Sequence, residues 1–257
     1  MKKFSLMLVL LAMSALLMTS CEEDNDDDNP PVDNSTVYYP MEVGKFRVYE
    51  TVRSETTIER SENMETSQVS GYTATRIDNS SGPDADNLTL DYSAYYRVEG
   101  SKVYVQGSYF NQIVAGFGLT DLFDADWYLI IDPNLSSTQE IFSRDLDGLT
   151  IPVPNFGDVE LKSVSLSLIN GGKVNIDAPA YSGETQHMRF EIQLVANALA
   201  QDLPVAAIID NYYAENIGLV NSVVGDFIAT VPVTNQELKL LDGSFSELIE
   251  YGPMETE

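Results

Sequence analysis

The stretch Asp158 to Ile176, DVELKSVSLSLINGGKVNI, decides the reading of the fold. Val164, Leu166 and Leu168 alternate with Ser163, Ser165 and Ser167, and successive side chains of an extended chain point to opposite faces. One face is apolar and the other polar, the pattern of a half-buried β-strand. Asn170 and Gly171 separate this run from Val174 and Ile176, and an Asn-Gly pair tolerates the positive φ angles of a two-residue hairpin. The expectation is a hairpin here, with Gly172 giving latitude for a bulge. Val159 and Leu161 are out of step with Val164 and Leu166, which predicts a bulge near Lys162 and Ser163.

Two further turns extend the pattern. Gly100 and Ser101 separate Tyr95 to Val98 from Val103 to Val105, and Asp242 and Gly243 separate Leu238 and Leu240 from Phe245 to Leu248; both are predicted hairpins. Helical periodicity is nearly absent. The exception is Asn111 to Asp132, where Ile113 to Leu119 is apolar and glycine-spaced. A short helix and a loop are expected there, followed by a strand at Trp127 to Ile131 that stops at Asp132-Pro133. The stretches Asn79 to Asp86 and Thr150 to Asp158, with their prolines and glycines, read as surface loops. The fold class is all-β, or mainly β with one short helix: a curved antiparallel sheet in a half-barrel or a sandwich.

The N-terminus has a different texture. Lys2 and Lys3 precede an apolar run from Phe4 to Met18, then Thr19, Ser20 and Cys21. A charged start, an apolar core too short for a comfortable membrane span, and small residues before a cut make an export signal. Residues 1–20 are predicted to be the signal, 21–36 a tether, and 37–257 a single antiparallel β domain. Met18, Thr19, Ser20 and Cys21 resemble the lipobox of bacterial lipoproteins, and the resemblance implies cleavage before Cys21 and its acylation. One acyl chain anchors marginally and two or more anchor stably. The membrane is thus an expected partner, through Cys21.

Behind Cys21 come Glu22, Glu23, Asp24, Asp26, Asp27 and Asp28, with Asn25 among them and Asn29, Pro30 and Pro31 after them. With almost nothing apolar to bury, this reads as a self-repelling disordered tether. The acidic run also resembles the surface-export signal of Bacteroidetes lipoproteins. That resemblance implies an outer-membrane location facing the cell exterior; a plain spacer would leave the protein on the periplasmic face.

Composition narrows the function classes. The chain has 40 acidic and 14 basic residues, and loss of Lys2 and Lys3 with the signal leaves 12 basic residues and a net charge of −28. Such a surface repels phosphate backbones, so a nucleic-acid partner is excluded. Cys21 is the single cysteine, so no intramolecular disulfide can form and stability must come from the core.

A further resemblance lies at the two ends of the domain. Tyr39, Pro40, Met41, Val43, Gly44, Phe46, Val48 and Tyr49 look like the opening strand of many uncharacterised Bacteroidetes lipoproteins, in which a Trp often stands where this chain has Arg47. Tyr212, Tyr213, Ala214, Asn216, Ile217, Gly218, Leu219 and Val220 resemble their recurring Tyr-Ala-x-x-Val-Gly-Leu-Val segment. The resemblance implies a curved antiparallel sheet similar to the half-barrel of periplasmic lipoprotein carriers, and no assigned activity.

No catalytic residue, metal ligand or cofactor is assigned by the sequence. His187, the one histidine, has the parity of Arg189, Glu191 and Gln193, opposite to Met188, Phe190, Ile192 and Leu194, and so reads as a surface imidazole. Asp145, Asp147 and Gly148 echo a calcium loop but lack its later ligands. The fourteen tyrosines, paired at Tyr38-Tyr39, Tyr95-Tyr96 and Tyr212-Tyr213, offer flat faces with polar tips suited to glycan or protein contacts. Each pair also fits a strand that turns one ring inward and one outward. The expected function is a non-enzymatic surface binding or assembly module for a protein or glycan. One alternative is a carrier or sensor of an apolar ligand in a half-barrel cavity, with Ile113 to Leu119 as its lid. Another is a carbohydrate-active enzyme using two carboxylates.

Overall fold

The computed structural model describes residues 37–115, 121–153, 157–198, 201–231 and 236–253, within one compact unit, Ser35–Glu257. The signal, Cys21 and the acidic run Glu22 to Asp28 lie outside the described residues. In chain order the first strands are β1 (Lys45–Val52), β2 (Thr56–Val69), β3 (Tyr72–Gly82), β4 (Thr89–Glu99) and β5 (Lys102–Gln106). One helix, α1 (Ser108–Val114), precedes β6 (Trp127–Ile131), β7 (Gln139–Val153), β8 (Gly157–Ala178), β9 (Tyr181–Ala198) and β10 (Gln201–Ala214). The remainder is β11 (Gly218–Val224), β12 (Phe227–Val231), β13 (Gln236–Leu241) and β14 (Ser244–Pro253). The fold is the expected one: among the described residues it is nearly all β, antiparallel, with one short helix.

Alternation sets the core. Val164, Leu166 and Leu168 of β8 stand opposite Leu194, Ile192 and Phe190 of β9, which in turn stand opposite Val205, Ala207 and Ile209 of β10. All are buried in one cluster. Each large apolar side chain withdrawn from water there contributes roughly 1.5–3 kcal/mol. The serines of β8 and the charged residues of β9 take the other face.

The strands run β6-β5-β4-β3-β2-β1-β14-β11-β10-β9-β8-β7 in space, with β12 and β13 attached beside β10. The two ends of this path, β6 and β7, are neighbours in sequence, joined by Asp132 to Thr138. Laid flat, twelve strands about 4.8 Å apart would put these ends about 50 Å apart, whereas seven linking residues reach at most about 28 Å. The sheet must curl, and its concave side holds the main core.

The hairpin at Gly100-Ser101 forms as expected, with Glu99 opposite Lys102. The strand Trp127–Ile131 also forms, and a register shift between Leu161 and Ser163 is the predicted bulge.

Asn170-Gly171 is not a hairpin. β8 runs straight through it, with a register shift between Asn170 and Gly172, and the chain reverses at Pro179 and Ala180. The positive φ that would have served a turn serves a bulge, at Gly172 (φ 79°). Asn170 is occupied elsewhere: its Nδ2 donates to Pro133 O (2.9 Å) and Leu135 O (3.2 Å). Asp242-Gly243 joins two strands that do not pair with each other, because β13 pairs with β12 and β14 with β1 and β11. Of the two expected surface loops, Asn79 to Gly82 belongs to β3, and Thr150 to Asp158 includes the ends of β7 and β8.

The far end of the β8–β9 hairpin folds back on the sheet, where Ala180 N donates to Leu248 O at 3.0 Å. Ile176, Ala180 and Tyr181 pack there on Tyr49, Ala214, Val220 and Leu248, a second and smaller core.

Candidate functional site: a tyrosine-lined cleft

The chain enters the domain through Val37 to Met41, a segment without regular structure that is tied down on all sides. Asn216 N donates to Val37 O (2.8 Å), Asn63 Nδ2 to Pro40 O and Glu42 O (both 2.9 Å), and Thr75 Oγ1 to Met41 O (3.1 Å). This places Tyr39 across one end of the concave side. Its ring stacks on Tyr96 with centroids 5.3 Å apart and meets Tyr213 edge-on at 6.2 Å.

Arg47 lies behind Tyr39, fully buried, with its guanidinium 4.6 Å from the ring centroid. It donates to Asn63 Oδ1 at 2.8 Å and to Ile217 O at 3.3 Å. Gly218, with φ of 103°, lets the chain pass close by: a Cβ there would meet Arg47 at 3.4 Å. A buried cation is costly unless paired and hydrogen-bonded; the aromatic face and two acceptors offset that cost, while Arg47 Nε has no hydrogen-bond partner among the described residues.

In front of Tyr39 a cleft opens along β1. Tyr49, Tyr92, Tyr96, Tyr109 and Tyr213 line it with Tyr39, around 250 Å³ of space. Period-two spacing turns Tyr92 and Tyr96 of β4 inward together, while Tyr109, Gln112 and Ile113 share one face of α1 at i, i+3 and i+4. An outer compartment of 380 Å³ continues past Arg53, Gln112 and Ile113 to Ser54, Phe227 and Asp242. Tyr49 of β1 and Arg53, just past its end, line it four residues apart, so the cleft runs roughly 13 Å along the sheet. Its blind end is where the chain enters, and its mouth is at the other end.

The chemistry of the lining is mixed. Among the described residues no protein atom hydrogen-bonds the hydroxyls of Tyr92, Tyr96 and Tyr109, and none of the three is sealed without a partner. Burial pushes their pKa values up, and neighbouring tyrosines push the same way, so they remain neutral O–H groups. Tyr49 and Tyr213 are engaged, Tyr49 Oη donating to Leu219 O (3.1 Å) and Tyr213 Oη accepting from Asn211 Nδ2 (3.2 Å). Glu59 is the one carboxylate of the inner compartment among the described residues. Burial raises its pKa, against the opposing pull of the Thr51 hydroxyl and the Arg53 charge.

His187 is on the face expected of it, yet it is held rather than free. Its Nε2 is 2.6 Å from Asp210 Oδ1 and its ring stacks on Tyr212 at 4.7 Å. Arg189 donates to the same carboxylate from Nε (2.8 Å) and Nη2 (3.2 Å). A Cβ on Gly171 would sit 1.9 Å from His187 Nδ1, so the bulge that replaces the expected hairpin also makes room for the imidazole.

The tyrosine pairs divide as expected at Tyr95-Tyr96 and Tyr212-Tyr213, where the second ring is buried and the first only partly so, whereas Tyr38 and Tyr39 are both buried. The expected helix forms and Ile113 lines the cleft, while 116–120, most of the expected lid, lie outside the described residues. Among the described residues no group of three His, Cys, Asp or Glu side chains could hold a metal ion. Glu59, Arg53 and Arg47 were not singled out for the site by sequence. Only the abundance of tyrosine, and an arginine where the resemblance leads one to expect tryptophan, pointed toward it.

No protein-family model matches the chain, and no curated protein matches it. Two solved structures are similar in backbone arrangement. One is a provisionally assigned lipoprotein from Parabacteroides distasonis, 9% identical, with a TM-score of 0.48, over 85% of this chain and 100% of that one. The other is a provisionally assigned exported protein with a YmcC-like fold from Bacteroides fragilis, 10% identical, with a TM-score of 0.46, over 84% of this chain and 99% of that one. Likeness at this level says nothing about activity.

Proposed function

We propose that the protein is an exported, lipid-anchored and non-enzymatic binding module, held to the outer membrane through acylated Cys21 and facing the cell exterior. It takes the end of an external glycan or protein ligand into the tyrosine cleft. The observation that carries this reading is the cleft itself, a void lined by six aromatic rings with free hydroxyls inside it. Convergent polar groups on an aromatic wall are what a recognition pocket needs.

The test is calorimetric titration of the full-length protein in nanodiscs with a panel of glycans and peptides, on the native chain and on Tyr96→Ala. Saturable binding by the native chain that Tyr96→Ala weakens at least tenfold is the expected result. Binding untouched by that change would move the site elsewhere on the surface.

A further inference from the structure

Resting on the reading of the cleft as a binding site, we infer that its ligand is a neutral, hydroxyl-rich one, the end of an uncharged glycan, and that Glu59 is the group that receives its hydroxyls. Three observations narrow the class. First, among the described residues the lining holds one cation, Arg53, and one anion, Glu59, in the inner compartment, with Asp242 added at the mouth. A phosphate, sulfate or uronate would find a single arginine to balance it, beside a carboxylate that repels it. A strongly cationic ligand would meet Arg53 at the entrance and Arg47 behind the end wall.

Second, an alkyl chain would cover the hydroxyls of Tyr92, Tyr96 and Tyr109 and the Glu59 carboxylate without giving any of them a partner. Each such orphaned group costs a desolvation penalty that a ligand bearing hydroxyls avoids. Third, the tyrosine walls combine apolar ring surface with neutral O–H donors and a carboxylate acceptor. A sugar ring has the matching chemistry, with C–H surface for the rings and hydroxyls for Glu59 and the tyrosine O–H groups. The inner compartment, at 250 Å³, is below the usual range of about 300–1,000 Å³ for a complete ligand site. It therefore takes the terminal unit of a chain, and the outer compartment of 380 Å³ takes the next.

The experiment uses full-length protein in nanodiscs, with empty nanodiscs as the blank, observed by calorimetry and by NMR of the tyrosine rings. The probes are neutral disaccharides (maltose, cellobiose, lactose), digalacturonate, glucosamine and decanoate. A neutral disaccharide should bind saturably and shift Tyr92, Tyr96 and Tyr109. Glu59→Gln, which keeps size and hydrogen-bonding reach, should weaken that binding roughly 10- to 100-fold, the loss expected for a hydrogen bond to a charged group. Decanoate, digalacturonate or glucosamine shifting the same tyrosines while neutral sugars do not would overturn the ligand class and leave the cleft as a binding site. Neutral sugar binding unchanged in Glu59→Gln would overturn the role of Glu59. If no probe and no member of the wider glycan and peptide panel moves those tyrosines, the reading of the cleft as a binding site fails as well.

Discussion

The Arg47 guanidinium lies 4.6 Å from the centre of the Tyr39 ring, and this contact joins the entry of the chain to the first strand of the sheet. Tyr39 belongs to the segment that closes the blind end of the cleft, and Arg47 belongs to β1. The arginine also satisfies Asn63 Oδ1, while the amide nitrogen of the same Asn63 holds Pro40 O and Glu42 O. One buried cation thus organises three segments distant in sequence.

Arg47→Met should therefore be costly although the replacement is apolar and similar in length. It leaves Asn63 Oδ1 and Ile217 O without their donor and removes the cation from the tyrosine face. A loss of about 2–4 kcal/mol is expected, measured as a shift in the urea midpoint with the slope unchanged. A loss under about 0.5 kcal/mol would mean that Asn63, Thr75 and the backbone contacts hold the entry segment without the arginine.

Glu59→Gln should stabilise the protein at neutral pH. Burial raises the carboxyl pKa in the folded state, so ionisation is harder folded than unfolded. The native chain then loses stability as pH rises from the unfolded value, about 4.3, through the raised folded value. Thermal unfolding of the two proteins should coincide near pH 3.5 and separate by pH 7, with the variant the more stable. The opposite order at pH 7 would show that Arg53 and Thr51 outweigh burial.

Asp210→Asn should show the reverse dependence. Burial works against the charge of Asp210, but hydrogen bonds from Arg189 and His187 outweigh it and hold the pKa below the usual range. The stability it supplies is complete above the unfolded value, about 3.9, and is lost as pH falls through the lowered folded value. The variant should be less stable than the native chain by about 1–3 kcal/mol at pH 6, with the difference shrinking below pH 4. A difference independent of pH would assign the effect to packing.

Gly171→Ala separates the bulge from the hairpin first expected. In a free two-residue turn an added methyl would meet only solvent, whereas here it would strike the His187 ring at 1.9 Å. The ring would have to leave Asp210 and Tyr212. A loss of about 1–3 kcal/mol is expected, together with movement of the His187 ring resonances in NMR spectra. An unchanged His187 spectrum would contradict the bulge.

Topology at the membrane is testable without the domain. Cys21→Ser should release the protein from the membrane fraction, and neutral residues in place of Glu22 to Asp28 should move it from the cell surface to the periplasmic side. Protease shaving of intact cells distinguishes the two faces. Unaltered fractionation in both variants would refute the anchor and the export signal together.

Strand identity was legible in the alternating residues, since period-two patterning depends only on which side chains can leave water. That is why Val164 to Leu168, Met188 to Leu194 and Trp127 to Ile131 were readable, and even the slip at Lys162. Pairing was less so. Asn170-Gly171 carries the same φ tolerance whether it closes a turn or forms a bulge, and the choice fell to partners far away, Pro133 and Leu135 on one side and His187 on the other. Asp242-Gly243 likewise could not disclose that β13 and β14 take different neighbours.

The cleft belongs wholly to tertiary structure. Its tyrosines come from the entry segment, β1, β4, α1 and β10, and its one inner carboxylate from β2, a strand so polar that nothing in its pattern set Glu59 apart from its other acids. By itself the sequence determined the strand content, the excess of negative charge and the expectation of an anchor at Cys21, because these follow from local periodicity and composition. The curl of the sheet decided which rings share a void and which carboxylate loses its water, because both depend on residues brought together only when distant strands pair.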